Sequence, residues 1–162
     1  IRDIYDDIVN KIYTVLDILQ NVRLTQCIIF TNHIETAEQI CESIKKETSI
    51  DASAFHGNLS SEERKKITNA FLNDNIKILV SSDVLSRGFD AHHVNLVINF
   101  DMPSKLETYL HRIGRAGRFG RKGVAISLIS SAAQEMAKVK EINKISPKSQ
   151  MMELPEYLDR II

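Results

Sequence analysis

Residues 111–123, HRIGRAGRFGRKG, gather Arg112, Arg115, Arg118, Arg121 and Lys122 into eleven residues with no acid among them. Four of the chain's six glycines, Gly114, Gly117, Gly120 and Gly123, stand between them at intervals of three. Arginine presents a planar fork of donors that stays charged, which matches a phosphate better than the point charge of lysine does. Arg115 and Arg118 are spaced to project from one turn toward one point. Two guanidinium groups so placed repel each other unless a polyanion enters between them.

Other readings of the same stretch are open. Glycine every third residue without proline cannot build a collagen helix. One Gly-x-x-Gly resembles the loop of a KH domain only weakly. The Walker pattern Gly-x-x-x-x-Gly-Lys-Ser/Thr occurs nowhere in the chain. The plain alternative is a solvated basic turn between a helix and a strand.

The rest of the chain must position these groups. With 162 residues it suits one domain with a real core. Apolar residues make up 43% and charged residues 26%, as in ordinary globular proteins. The formal net charge is zero, so the basic stretch is a local patch and not part of a polycation. Two cysteines, Cys27 and Cys41, make neither a disulfide framework nor a metal cluster, and read as buried thiols of a reducing compartment. His33, His92 and His93 share no metal-ligand spacing with them and read as surface or loop histidines. No apolar run approaches the ~18 residues of a membrane span, and no signal-peptide pattern opens the chain. The start at Ile1 without Met reads as an excised segment.

Five short β-rich runs, at 27–31, 52–55, 76–80, 94–100 and 124–129, are mostly continuous and apolar, as in strands buried on both faces. Helical patterns separate them. Asn32 with Glu35, Ser60 with Glu63, Ser104 with Glu107 and Ser131 with Gln134 each fit a capping box or a close variant. Ile34, Ala37, Ile40 and Ile44 keep a helical stripe, as do Ile67, Ala70 and Phe71. Residues 10–21 read as a further helix, 1–8 as a strand or a linker, and the tail from Ser146 as a peripheral extension. Alternation of strands and helices implies an α/β domain: a mainly parallel sheet with helices on both faces. Ligands in such sheets lie outside the carboxyl ends of the strands. The helix from Ser104 runs through Leu106, Tyr109 and Leu110 toward Ile113. His111, Arg112 and Arg115 fall near its end, where Gly114 and Gly117 let it unwind.

At this point HRIGRAGR (111–118) resembles motif VI of the DEAD-box RNA helicases, and SSDVLSRGFD (81–90) resembles their motif V. IIFTNHIETAEQI (28–40) is similar to motif IV, FHGNLSSEER (55–64) to the motif after it, and VINFDMP (97–103) to the strand and turn between V and VI. The matches keep the family's order over roughly residues 1–145. They resemble the second of its two RecA-like domains, a three-layer α/β unit, leaving 146–162 as an extension. The first domain's phosphate-binding loop and Asp-Glu-Ala-Asp box are not in this sequence.

The resemblance implies a half-site. ATP and Mg2+ would be held mainly by the N-terminal RecA-like domain. The motif VI match makes Arg115 and Arg118 arginine fingers and sets His111 and Arg112 at the interdomain cleft. The motif V match places Gly88 by the nucleotide and Asp90 on the ATP ribose, though Asp90 also reads as a cap or turn carboxylate. Thr31, Asn32, His56, Gly57, Arg64, Ser82, Arg87 and Gly88 would grip the backbone of single-stranded RNA, or of a short duplex being bent apart. Each has a plainer reading: Thr31 and Asn32 as caps, Gly57 as a turn, Ser82 as a strand end, Arg64 as an ion-pair partner of motif V. This chain departs from the pattern at Ser82 (usually Thr), Ser61 (often Gln) and Ala116 (usually Thr). The implied setting is a cytoplasmic or nuclear, monomeric fragment that can dock scaffold or adaptor proteins, with no metal site of its own. The rival functions are a superfamily-two DNA helicase or translocase domain and a non-catalytic docking module.

Overall fold

The computed structural model describes residues 2–82, 91–117, 123–130 and 133–145. In chain order the elements are α1 (Arg2–Asn21), β1 (Gln26–Phe30), α2 (Ile34–Glu47), β2 (Ala52–Phe55) and α3 (Ser61–Leu72). Then follow β3 (Ile78–Ser81), β4 (Val94–Asn99), α4 (Leu106–Ile113), β5 (Val124–Ser127) and α5 (Ala133–Ile145). The five strands form one sheet in the order β2-β3-β1-β4-β5, and every neighbouring pair is parallel. This is the parallel sheet that the alternating pattern implies, and the three-layer arrangement that the family resemblance implies.

The inner strands β3, β1 and β4 are buried on both faces, so successive residues enter different cores. Cys27 and Ile29 of β1, Val80 of β3 and Leu96 and Ile98 of β4 join Val15 and Leu19 of α1 and Ile40 and Ile44 of α2. Ile28, Phe30, Leu79 and Val97 point the other way, onto Phe71 of α3. A smaller cluster of Met102, Tyr109 and Ile142 joins α4 to α5. The chain leaves β1 for the outer strand β2 through α2 and returns to β3 through α3. Right-handed crossovers in opposite directions put those two helices on opposite faces.

Local expectations divide. Ser60 and Glu63 close the capping box of α3, with Glu63 N donating to Ser60 Oγ at 3.1 Å and Ser60 N to Glu63 Oε2 at 2.9 Å. Residues 2–8 are neither strand nor linker but the opening turns of α1. Ile8, Ile12 and Val15 keep a helical apolar spacing along it. Helix α2 is capped at His33 without a side-chain bond, and α4 at Lys105, also without one. The Asn32 and Ser104 caps are therefore not formed. The Ser131 cap and the 146–162 tail lie outside the described residues.

Candidate functional site

Parallel register brings five carboxyl ends to one edge of the sheet. Phe30 of β1 is level with Ser81 of β3, and Ser81 with Phe55 of β2. The next residue of each strand therefore stands in one row: Thr31, Ser82 and His56, at strand spacings of about 4.8 Å. Thr31 N donates to Ser81 O at 2.9 Å and Ser82 N to Phe55 O at 3.2 Å, which fixes the row. The Thr31 hydroxyl turns into its own loop and donates to His33 O at 2.9 Å. Gly57 follows in the exposed turn. His56 is 4% exposed, and its Nε2 lies 3.0 Å from Glu38 Oε1. His56 Nδ1, Ser81 Oγ and Arg64 Nε are buried without a hydrogen-bond partner. Buried polar atoms are nearly always paired, so three orphans here mark an edge with unspent bonding capacity.

Asn32 sits beside this row at a junction. Its backbone N–H donates to Asp101 Oδ2 at 2.9 Å, and its Nδ2 to Met102 O at 3.1 Å. Its Oδ1 accepts from Arg112 Nη2 at 2.9 Å, while Arg112 Nη1 donates to Asp101 O at 2.6 Å. The guanidinium also lies over the Phe30 ring, 5.3 Å from its centroid, a cation–π contact. Side chains tilt toward the start of their helix, which lets Arg112 reach back from the end of α4 to the carboxyl edge. It is 2% exposed. One fork thus ties together the loops after β1 and β4 and helix α4.

The glycine spacing resolves into separate tasks. Gly114 caps α4 with right-handed geometry, and its N–H donates to Leu110 O at 3.0 Å. Gly117 has φ 66°, the left-handed region that side chains resist. Its N–H donates to Val94 O at 3.1 Å. A Cβ on Gly123 would meet the Gly117 amide and lie 2.6 Å from Gly117 Cα and 2.7 Å from the Ala116 carbonyl carbon. The turn carrying Arg115 is therefore clamped between the first residue of β4 and the entry to β5. His111 is exposed and Arg115 half-buried. The hook on Val94 sets this turn toward the amino end of β4, about a strand length, ~17 Å, from the Thr31–Ser82–His56 row. Arg87, Gly88, Asp90 and Arg118 lie outside the described residues.

Sequence reading passed over Asp101, Glu38 and Asn99. Asp101 was visible only as part of VINFDMP. Asn99 is fully buried, donates to Ser127 Oγ at 3.1 Å and leaves its Oδ1 unpaired. Burial pushes the neighbouring Tyr109 phenol up, and a hydrogen bond with Ser127 partly offsets this. Among the described residues, no group of three or more His, Cys, Asp or Glu side chains could hold a metal ion.

Residues 10–120 match the helicase conserved C-terminal domain family. The chain is 42% identical over 132 residues to the ATP-dependent RNA helicase FAL1 of Kluyveromyces lactis, covering 82% of this chain and 32% of that protein. It thus spans about a third of the length of this curated relative. Among solved structures, the C-terminal domain of the DEAD-box protein Dbp5 superposes with a TM-score of 0.80 at 32% identity, over 91% of this chain and 84% of that one. The Saccharomyces cerevisiae Dbp5 structure bound to RNA and ADP BeF3 gives a TM-score of 0.81 at 32% identity, over 91% of this chain and 39% of that one.

Proposed function

Because the chain belongs to the helicase conserved C-terminal domain family, as the C-terminal domain of a DEAD-box protein, we propose that it is the second half of an ATP-dependent RNA helicase. In this reading residues 1–145 are the RecA-like domain and 146–162 an extension of it. The partner is the N-terminal RecA-like domain of the same protein, and the ligand is single-stranded RNA or a short duplex. Scaffold proteins would dock on the outer surface. No helix among the described residues is long and apolar enough to cross a membrane, and the proposed setting is the cytoplasm or nucleus.

The described residues offer no magnesium ligand cluster, and the sequence has no Walker loop. As the family resemblance implies, ATP and Mg2+ are assigned mainly to the N-terminal domain, with the charge on the transferring phosphoryl group supplying the target for this domain's arginines. Arg115 and Arg118 act as the fingers that neutralise that charge, a contribution of ~10³–10⁵ in rate for such groups. His111, exposed on the last turn of α4, faces the cleft, and Asp90 and Gly88 meet the nucleoside. Arg112 acts at the same site through others: with its fork committed to Asp101 and Asn32, it holds α4 in place. Thr31, Asn32, His56, Gly57, Arg64, Ser82, Arg87 and Gly88 grip the RNA backbone, where contacts fix position and carry no sequence information.

The observation that carries this reading is the Asn32–Arg112–Asp101 junction. It gives the loop proposed for RNA and the helix proposed for ATP a common set of hydrogen bonds, as an RNA-stimulated ATPase needs. The test is Arg115→Ala in the intact protein. ATP turnover should fall at least a thousandfold while the unfolding midpoint and RNA affinity hold. Unchanged turnover leaves a docking module. Stimulation by single-stranded DNA in place of RNA would move the protein to the DNA helicases.

A further inference from the structure

Glu38 and His56 form a pair that the grip just described does not use. Glu38 lies on α2, with its side chain 57% exposed, while that of His56 is 5% exposed. Their separation of 3.0 Å is a hydrogen bond. An ionised carboxylate only accepts, so the His56 hydrogen sits on Nε2 and the ring is held in that tautomer. The other nitrogen, Nδ1, is buried without a partner. In the neutral ring His56 thus has one donor, turned toward the solvent side of the carboxyl edge, and Glu38 occupies it.

His56 is level with Thr31 and Ser82, the row assigned above to the RNA backbone. A phosphodiester oxygen has the same chemistry as a carboxylate oxygen: anionic, accepting, and a partner for one N–H at hydrogen-bond distance. Both cannot take the single Nε2–H. We infer that Glu38 is a built-in competitor for an RNA phosphate at this edge. It holds the His56 donor when the edge is empty and is displaced when the phosphate arrives. Remaining nearby as a negative charge, it weakens the grip and favours release. This rests on the reading of the edge as an RNA site.

The test compares the intact protein with Glu38→Gln, Glu38→Ala, His56→Ala and the double variant of Glu38→Ala with His56→Ala. A fluorescent single-stranded oligoribonucleotide is titrated at fixed salt with nucleotide present. Glu38→Ala should bind RNA more tightly than wild type by about fivefold, from freeing the His56 donor together with removing a charge near the phosphate. Glu38→Gln, which removes charge but keeps an acceptor, should lie between the two. His56→Ala should weaken binding, and in the double variant the gain should shrink to the part that comes from removing the Glu38 charge alone. In the wild-type protein carrying ¹⁵N-labelled histidine, the His56 Nε2 resonance should move on adding the oligonucleotide. If Glu38 only props the histidine, Glu38→Ala will bind RNA no better than wild type while His56→Ala still weakens it. That result overturns the competition and spares the RNA site. If His56→Ala, Ser82→Ala and Thr31→Ala all bind RNA as wild type does, the edge is not an RNA site and both inferences fall.

Discussion

Arg112 and Asn32, 80 positions apart in sequence, are joined by a 2.9 Å hydrogen bond from Nη2 to Oδ1. The bond makes one unit of two segments that local sequence treats as separate: the loop after β1 and the end of α4. Arg112 is the largest fully buried side chain among the described residues, so its charge is tolerated only because acceptors and a ring face surround it.

Arg112→Lys should destabilise the fold by about 2 kcal/mol. A single ammonium cannot keep both bonds and the planar stacking on Phe30. Arg112→Ala should cost about 3–5 kcal/mol, adding a cavity and stranded acceptors. Urea midpoints at constant slope will read both.

Gly123→Ala should displace the turn that carries Arg115, because the added methyl meets backbone and not a movable side chain. The expected loss is about 1–3 kcal/mol of stability, as for other overpacked sites. In the intact protein ATP turnover should drop with RNA affinity little changed. Amide shifts confined to the clamped turn and the start of β5 would confirm the cause; wild-type turnover would refute it.

Alkaline pH should unfold the domain. Burial raises the Cys27 thiol above its ordinary 9.0, raises Cys41 despite the opposing Lys45, and raises the Tyr109 phenol above its ordinary 10.0. Each group keeps its proton to higher pH in the folded chain than in the unfolded one. Between those values the folded state binds more protons, so stability is full below about pH 8.5 and falls as pH rises. The slope approaches ~1.4 kcal/mol per pH unit for each group titrating only in the unfolded chain. Urea unfolding at pH 7, 9 and 10 measures it, and Cys41→Ala should make the decline shallower.

The 162-residue chain alone should release negligible phosphate from ATP, with or without RNA, if its arginines act as proposed on a nucleotide bound by the N-terminal domain. Steady turnover by the purified chain at micromolar concentration would overturn the half-site.

Much of this was legible from local pattern. Short β-rich runs located the five strands of the described residues, and most plainly the inner three, where burial on both faces leaves few polar positions. Ser60 and Glu63 announced α3 because a capping box closes within four residues. Asn32 carries a similar signal and does something else: Arg112 and Asp101 offer its side chain and backbone better partners than the first turn of α2 does. No local spacing says that Arg112 rather than Arg115 turns fully inward, since that depends on where Phe30 and Asp101 come to lie. Glu38 carried no signal of its own, for its meaning comes from a histidine just past the end of β2, on another element.

The opposite edge of the sheet is tied down by groups that do no chemistry. Gln26 Nε2 donates to Phe71 O and Ile76 O at 2.7 and 2.9 Å, and Asn95 bonds Thr25 N and Arg23 O at 3.1 and 2.8 Å. That stitching gives the experimenter a handle. Exposed His92, just before β4, is a place for a dye or spin label away from the Thr31–Ser82–His56 row. Paired with a label on the N-terminal domain, it would report domain closure as a distance.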